Sequence, residues 1–408
     1  MKIYISGISG TGMGPLALMA KGAGIEVCGS DLNKGAIYDE LMKAGIEVEI
    51  GSQDGTYLKD KIDGGLDWFV YTSALPEDHA ELVMARAKGV RCTKRDDLTA
   101  YLVEKLGLKM IAVAGTHGKT TTTAMIVWTA LKLNLPAAYI VGTTLGFAPS
   151  AAYKTGDKYF VYEADEYDRN FLKYHPWLAV IPAVSYDHPD IYPTREDYEK
   201  AFLQFENQSE KVIFDGVDEK EFRLAGEARR KDAGLAAKAV LEIIKNENRT
   251  EDLNEICGIL NSFPGVGRRF EKIADGVYTD YAHHPEEIVA TIDIACDEAK
   301  LRDKKGVVVV YQPHQNTRQH EVKDGYKRAF VGANKLFWLP TYLTRENPEL
   351  KVISPEEFLV DLEGVDAEAA ELNDELANRL KGYIDDNYLI VLLTAGPADE
   401  CLRKKFAN

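Results

Sequence analysis

Gly115-Thr116-His117-Gly118-Lys119-Thr120-Thr121-Thr122-Thr123 combines the residue types that a polyphosphate requires. Backbone amides of a glycine turn and the positive end of a helix hold phosphate oxygens. A lysine reaches the outer phosphates, and the neighbouring hydroxyl ligates Mg2+. The spacing is GxxGKT, two residues shorter than the general P-loop pattern. Threonine is a poor helix former, so four in a row at a helix start point to hydroxyl chemistry rather than helix propensity. Acidic and imidazole groups recur further on, as Glu163-Ala164-Asp165-Glu166 and Asp187-His188-Pro189-Asp190. A carboxylate and an imidazole beside a P-loop can hold the metal that bridges phosphates, the imidazole being the less expected half because Mg2+ prefers oxygen.

These residues need elements that bring them together. The apolar run Met110 to Ala114 reads as a buried strand feeding the turn, and Ala124 to Leu133 reads as a helix leaving it. Each acidic cluster follows another short apolar run, Tyr159 to Tyr162 or Leu178 to Ile181. Ligands of parallel sheets bind beyond the carboxyl ends of strands, so both clusters are expected beside the P-loop. Earlier in the chain a strand at Ile3-Tyr4-Ile5 meets Gly7-Ile8-Ser9-Gly10-Thr11-Gly12-Met13-Gly14, then a helix over Pro15 to Ala23, then a strand ending in Gly29-Ser30-Asp31. That is a βαβ unit with a phosphate-binding turn and an acidic residue where a ribose or base is read. The alternation continues through Glu47 to Ile50 and Trp68 to Ser73. A third α/β segment opens at Phe263-Pro264-Gly265 and carries Gly267-Arg268-Arg269-Phe270, Asp280-Tyr281-Ala282-His283-His284-Pro285, and the run Val307 to Tyr311 followed by Gln312-Pro313-His314. Its last strand is Leu389 to Leu393. The reading is an α/β fold of three domains, 1–108, 109–262 and 263–408. Thr194 caps a helix whose Tyr198, Ala201, Phe202 and Phe205 form a core face, and the acidic stretch Asp361 to Glu375 reads as a solvated helix face.

At 408 residues the chain is long enough for two or three domains. Its net charge of −16 disfavours a nucleic-acid partner, so an anionic substrate must be held by local donors. No stretch is apolar for long enough to cross a bilayer, and Met1-Lys2 runs straight into a strand with no signal-peptide pattern, so a cytoplasmic location without a membrane partner is expected. Cys28, Cys92, Cys257, Cys296 and Cys401 are dispersed with no CxxC, which indicates reduced, mostly buried thiols rather than zinc or disulfides.

Four motifs in one order, GTHGKTTTT, Glu163 to Glu166, Asp187 to Tyr192 and Asp280 to Pro285, resemble the Mur ligases of bacterial cell-wall synthesis. The resemblance covers all three segments. It implies an N-terminal Rossmann-like UDP-binding domain, a central P-loop ATPase domain and a C-terminal Rossmann-like domain. It also implies ATP-dependent amide formation through an acyl phosphate, with L-alanine joined to the lactyl carboxylate of UDP-N-acetylmuramate in peptidoglycan precursor synthesis, by a monomer or weak dimer. Carried over by motif, Gly7, Gly10, Thr11, Gly12, Asp31 and Ser73 contact the UDP-sugar. Gly115, Thr116, His117, Gly118, Lys119, Thr120, Thr121, Arg269 and Asp280 contact ATP. Thr120, Glu163 and His188 ligate Mg2+, Lys119, His188 and His284 are catalytic, and His284 and Arg318 contact the amino acid.

The chain also departs from that family. Ala228, Arg229 and Asp232 stand where a histidine and two asparagines are expected near adenine, Gln315 stands in place of an arginine, and part of the central domain is missing. A ligase that attaches a preformed peptide to the same UDP-sugar, and a non-catalytic nucleotide-binding relative, remain as alternatives.

Overall fold

The computed structural model describes residues 1–72, 75–188, 191–344 and 346–406. Ser73 and the Pro189-Asp190 pair of the sequence motifs lie outside the described residues. Three sheets account for the strands. The first comprises β1 (Lys2–Ser6), β2 (Glu26–Asp31), β3 (Glu47–Ile50), β4 (Trp68–Tyr71) and β5 (Arg91–Lys94), in the order β3-β2-β1-β4-β5. All its pairings are parallel. The second comprises β6 (Lys109–Val113), β7 (Ala137–Ile140), β8 (Ala151–Ala152), β9 (Tyr159–Glu163), β10 (Leu178–Val180) and β11 (Val212–Ile213), in the order β11-β10-β6-β9-β7-β8. The third comprises β12 (Glu271–Ala274), β13 (Val277–Asp280), β14 (Val307–Gln312), β15 (Lys335–Trp338), β16 (Asp366–Ala369) and β17 (Leu389–Thr394), in the order β12-β13-β17-β14-β15-β16. Among the described residues, only the outer strands β8 and β12 run antiparallel to their neighbours.

Apolar runs become central strands because helices cover both faces of a parallel sheet. Every residue of β14 and β17 is buried, whereas Arg91 on the edge strand β5 is exposed. The strand-turn-helix joints are equally local in origin. Pro15 occupies the first turn of helix Gly14–Gly22. Thr194 caps helix Arg195–Asn207 by accepting from the Asp197 amide, and Tyr198, Ala201, Phe202 and Phe205 are its buried residues.

Two expectations are corrected. Asp361 to Glu375 is not one helix face. It contains the edge strand β16, whose acidic side chains are held by basic ones from other elements, with Lys335 Nζ 3.0 Å from Asp366 and 2.9 Å from Glu368. Of the five cysteines only Cys257 is buried, and Cys401 is exposed.

The chain divides into two compact units. Unit 1, Met1–Glu221 with Asp232–Pro264, contains the first two sheets, and one buried apolar cluster runs through both, from Ile3, Ile5 and Leu16 to Phe160, Tyr162 and Phe205. Unit 2, Phe222–Lys231 with Gly265–Asn408, contains the third sheet. Helix Glu227–Asn246 therefore starts in unit 2 and continues in unit 1. Among the described residues no helix is long and apolar enough to cross a membrane.

Candidate active site

The P-loop lies at the carboxyl end of β6, between β10 and β9. Its path is fixed by close approach. Gly115 has φ +151°, and a Cβ there would stand 2.6 Å from the Ala183 carbonyl oxygen; Gly118 has φ +82°, and a Cβ there would stand 2.6 Å from Asp232 Oδ1. No other residue type fits either place without strain. Thr116 pins the turn laterally. Its hydroxyl donates to the Ser185 carbonyl at 2.6 Å, accepts from the Ser185 amide at 2.9 Å and lies 2.8 Å from Tyr198 Oη. Helix Lys119–Lys132 then begins with no side-chain cap, so its first amides are available to an anion. Thr121 lies in this first turn, and His117 is half-buried on the loop before it.

Lys119 Nζ is held by both oxygens of Glu166, at 2.9 and 2.8 Å, and the Glu166 side chain is 1% exposed. Burial alone disfavours the ammonium, but the Glu166 charge outweighs it and the Lys119 pKa is raised. Burial likewise works against the Glu166 carboxylate, and Lys119 with His188 overcomes it, so that pKa is lowered. Next door, Thr120 Oγ1 donates to Glu163 Oε1 at 2.8 Å, while Glu163 Oε2 is buried without a hydrogen-bond partner. An orphaned carboxylate oxygen beside a hydroxyl is a donor set that suits a hard cation such as Mg2+.

His188, at φ +58°, turns its Nε2 to within 3.7 Å of Glu166 and 3.5 Å of Asp187. Burial lowers its basicity, but these carboxylates prevail and raise its pKa. The ring thus stands between two carboxylates at the edge of the Lys119 cluster. Asp232, at an expected asparagine position, accepts from Thr122 Oγ1 at 3.1 Å over Gly118.

The opening glycine turn lies at the carboxyl ends of β1 and β2, also in unit 1. The Gly7 and Ile8 amides both donate to the Ser30 carbonyl, at 2.8 and 3.1 Å, and Gly10 donates back to Gly7. Asp31 accepts from the Ser9 amide at 2.9 Å. Thr11 is exposed on the turn, and Gly12 faces the Arg95 guanidinium. Beneath the turn lies buried Glu81, which accepts from Ser6 Oγ at 2.6 Å and Ser30 Oγ at 2.7 Å.

In unit 2, the Asp280 carboxylate accepts from the Phe270 and Ala282 amides at 2.7 and 2.8 Å. Burial raises its pKa against the pull of Arg269. The guanidiniums of Arg268 and Arg269 lie over Tyr281, at 4.7 and 5.4 Å from the ring centre. His284 caps helix Pro285–Leu301, its Nδ1 accepting from the Glu286 amide. The neighbouring His283 is the ring that approaches His314, with centres 6.1 Å apart. Burial, with help from His283 and Arg318, pushes the His314 pKa down to about 4. Arg318 is half-buried and forms no ion pair among the described residues.

Two family models match the chain: "Mur ligase family, catalytic domain" over residues 2–105, and "Mur ligase middle domain" over residues 113–252. A Clostridium acetobutylicum protein named UDP-N-acetylmuramate--L-alanine ligase is 30% identical, the match covering 98% of this chain and 95% of that protein. The chain belongs to the Mur ligase family. Among solved structures, the UDP-N-acetylmuramate-alanine ligase MurC of Thermotoga maritima shares the fold at 24% identity with a TM-score of 0.78, covering 99% of this chain and 98% of that one. A murein peptide ligase of Psychrobacter arcticus does so at 22% identity with a TM-score of 0.65, covering 100% and 99%. The alignment to the Clostridium protein spans 451 positions, more than the 408 residues of this Mur ligase, so the relative carries residues with no counterpart here.

Within unit 1 of this Mur ligase, Lys119 and His188 both approach Glu166, and Thr120 meets Glu163 beside them. Arg269, Asp280, His284 and Arg318 lie in unit 2. Sequence reasoning gave no role to Glu166, Arg95 or Glu81, whose partners are distant in sequence. The signal available for Glu166 was its place in the acidic motif three residues after Glu163. For His314 it was the Gln-Pro-His turn closing a buried strand.

Proposed function

We propose that this Mur ligase joins L-alanine to the lactyl carboxylate of UDP-N-acetylmuramate, with ATP cleaved to ADP and phosphate, in the cytoplasm. Oxide is too poor a leaving group for an amine to displace from a carboxylate, and an acyl phosphate provides a good one. The observation that carries the reading is the cluster at the ends of β6 and β9: an uncapped helix start, Lys119 on a buried carboxylate, and Thr120 beside the orphaned oxygen of Glu163.

Lys119 exchanges Glu166 for the outer phosphates and neutralises charge as the phosphoryl group moves. Thr120, Glu163 and His188 would hold Mg2+, which would supply charge neutralisation at the same phosphates. His188 lies beside Glu166 and Asp187 at the edge of this cluster. Gly7, Gly10, Thr11, Gly12 and Asp31, in a domain spanning 1–108, hold the UDP-sugar. Residues 109–262, apart from the stretch 222–231 that packs in unit 2, form the ATP domain, and 263–408 the third domain. In unit 2, Arg318 pairs with the carboxylate of alanine, one guanidinium sufficing for a bidentate contact where Gln315 replaces another.

Phosphate release from purified protein given Mg2+, ATP and UDP-N-acetylmuramate tests this, with each amino acid and a tripeptide supplied in turn. Release requiring both the sugar and L-alanine is expected. Release with the tripeptide alone moves the acceptor to the recycling branch, and no release with any acceptor overturns the ligase reading.

A further inference from the structure

We infer that Arg95 is a direct contact for the diphosphate of the UDP-sugar, flanked by Asp96 of its own helix and by Asp165 from the segment after β9. The inference rests on the UDP-sugar reading of the glycine turn and adds a residue to it. The turn Gly7 to Gly14 contains no lysine or arginine, and the protein is strongly acidic. A diphosphate bound by amides alone would lack a cation, and the structure brings one from elsewhere.

Arg95 opens helix Arg95–Leu106, directly after β5. Four consecutive residues here meet the segment that follows β9. Lys94 Nζ is 2.8 Å from Asp168 Oδ2, Arg95 Nη2 is 3.7 Å from Asp165 Oδ2, Tyr174 Oη donates to Asp96 Oδ1 at 3.0 Å, and Lys173 Nζ is 3.2 Å from Asp97 Oδ2. The outer two pairs are well exposed and contribute little on their own. Arg95 differs. Its side chain is 25% exposed, and its Nε lies 3.5 Å from Asp96, which is almost fully buried. Asp96 and Asp165 thus lie within ion-pair distance of two of the three guanidinium nitrogens. The third, Nη1, lies 3.0 Å from where a Cβ on Gly12 would be. A guanidinium flanked by two carboxylates, with Nη1 turned to the glycine turn, is suited to phosphate oxygens, and the bare Gly12 makes room for it there. Because Asp165 adjoins the Glu166 that holds Lys119, the cations serving the two anionic substrates are anchored on consecutive residues.

The test is calorimetric titration of the full-length protein with uridine, UDP and UDP-N-acetylmuramate. Arg95→Ala is expected to raise the Kd for UDP and the UDP-sugar about tenfold or more while leaving uridine within about twofold. Arg95→Lys, keeping charge without the fork, is expected to fall between. Retained binding of an ATP analogue with Mg2+ checks that each variant is folded, and if Arg95→Ala is not, Arg95→Lys and Arg95→Gln carry the same comparison. Equal weakening of uridine and UDP, or unchanged UDP affinity, overturns the inference and leaves the ligase reading intact. Wild-type protein that binds neither UDP nor the UDP-sugar overturns both.

Discussion

The pairing of Lys119 with Glu166 makes opposite demands on stability and activity. Lys119→Ala leaves a carboxylate that is 1% exposed without its cation. Breaking a buried pair in this way costs roughly 3 kcal/mol, while losing the phosphate contact is expected to lower phosphate release about 10²–10³-fold. A lower midpoint of unfolding together with nearly unchanged UDP-sugar affinity is the expected result. Weakened sugar binding would mean that the two ligands do not occupy the separate turns assigned here. His314 gives a pH dependence. Its folded-state pKa of about 4 lies below the ordinary imidazole value, so between about pH 6.5 and 4 the unfolded chain binds the extra proton. Stability contributed by the neutral ring is present above that window and is lost as pH falls through it. With a half-exposed ring and solvent screening the loss is about 1–2 kcal/mol. His314→Gln should flatten this part of the stability profile, as read by urea denaturation at stepped pH. An unaltered slope would remove His314 as the cause.

At the scale of elements, the strand-turn-helix joint is where local sequence has most authority. Gly118→Ala places a methyl group against Asp232 and forces φ +82° on a residue that resists it, at a cost of about 1–3 kcal/mol. The expected readout is weakened binding of an ATP analogue with UDP-sugar affinity retained. At the helix after β10, Thr194→Ala removes a cap that accepts from the Asp197 amide, and about 1 kcal/mol of stability with it. The same local rules explain what was legible beforehand. Runs such as Val307 to Tyr311 read as strands because both faces are buried, and glycines mark the turns after β1 and β6. β16 was misread because an edge strand of acidic and small residues has no apolar alternation, and its stabilising Lys335 belongs to a different strand. The acidic motif pointed to a metal cluster, but not to Arg95 and Asp165 facing one another. Such pairings depend on how the first two sheets pack, which no local pattern encodes.

At the scale of the whole molecule, the chain leaves unit 1 after Glu221, contributes ten residues to unit 2, returns at Asp232, and leaves again after Pro264. The excursion is firmly seated in unit 2. Ala225 belongs to the buried apolar cluster of unit 2, the Gly226 and Glu227 amides donate to Asp297 and Asp293, and a Cβ on Gly226 would lie 2.2 Å from Ile294 Cγ1. Gly226→Ala is therefore expected to destabilise the protein by about 2–4 kcal/mol, and Ile294→Ala in the same chain should recover part of that in thermal unfolding. Failure of the second change to relieve the first would locate the cost in the backbone alone. The excursion also sets an order on biosynthesis. Ala225, Gly226 and Glu227 emerge from the ribosome before any of Gly265–Asn408 has been made, so the residues that seat them, Asp293, Ile294 and Asp297 among them, do not yet exist. A nascent chain at that stage is open to aggregation or chaperone capture until its last strand, β17, completes the third sheet.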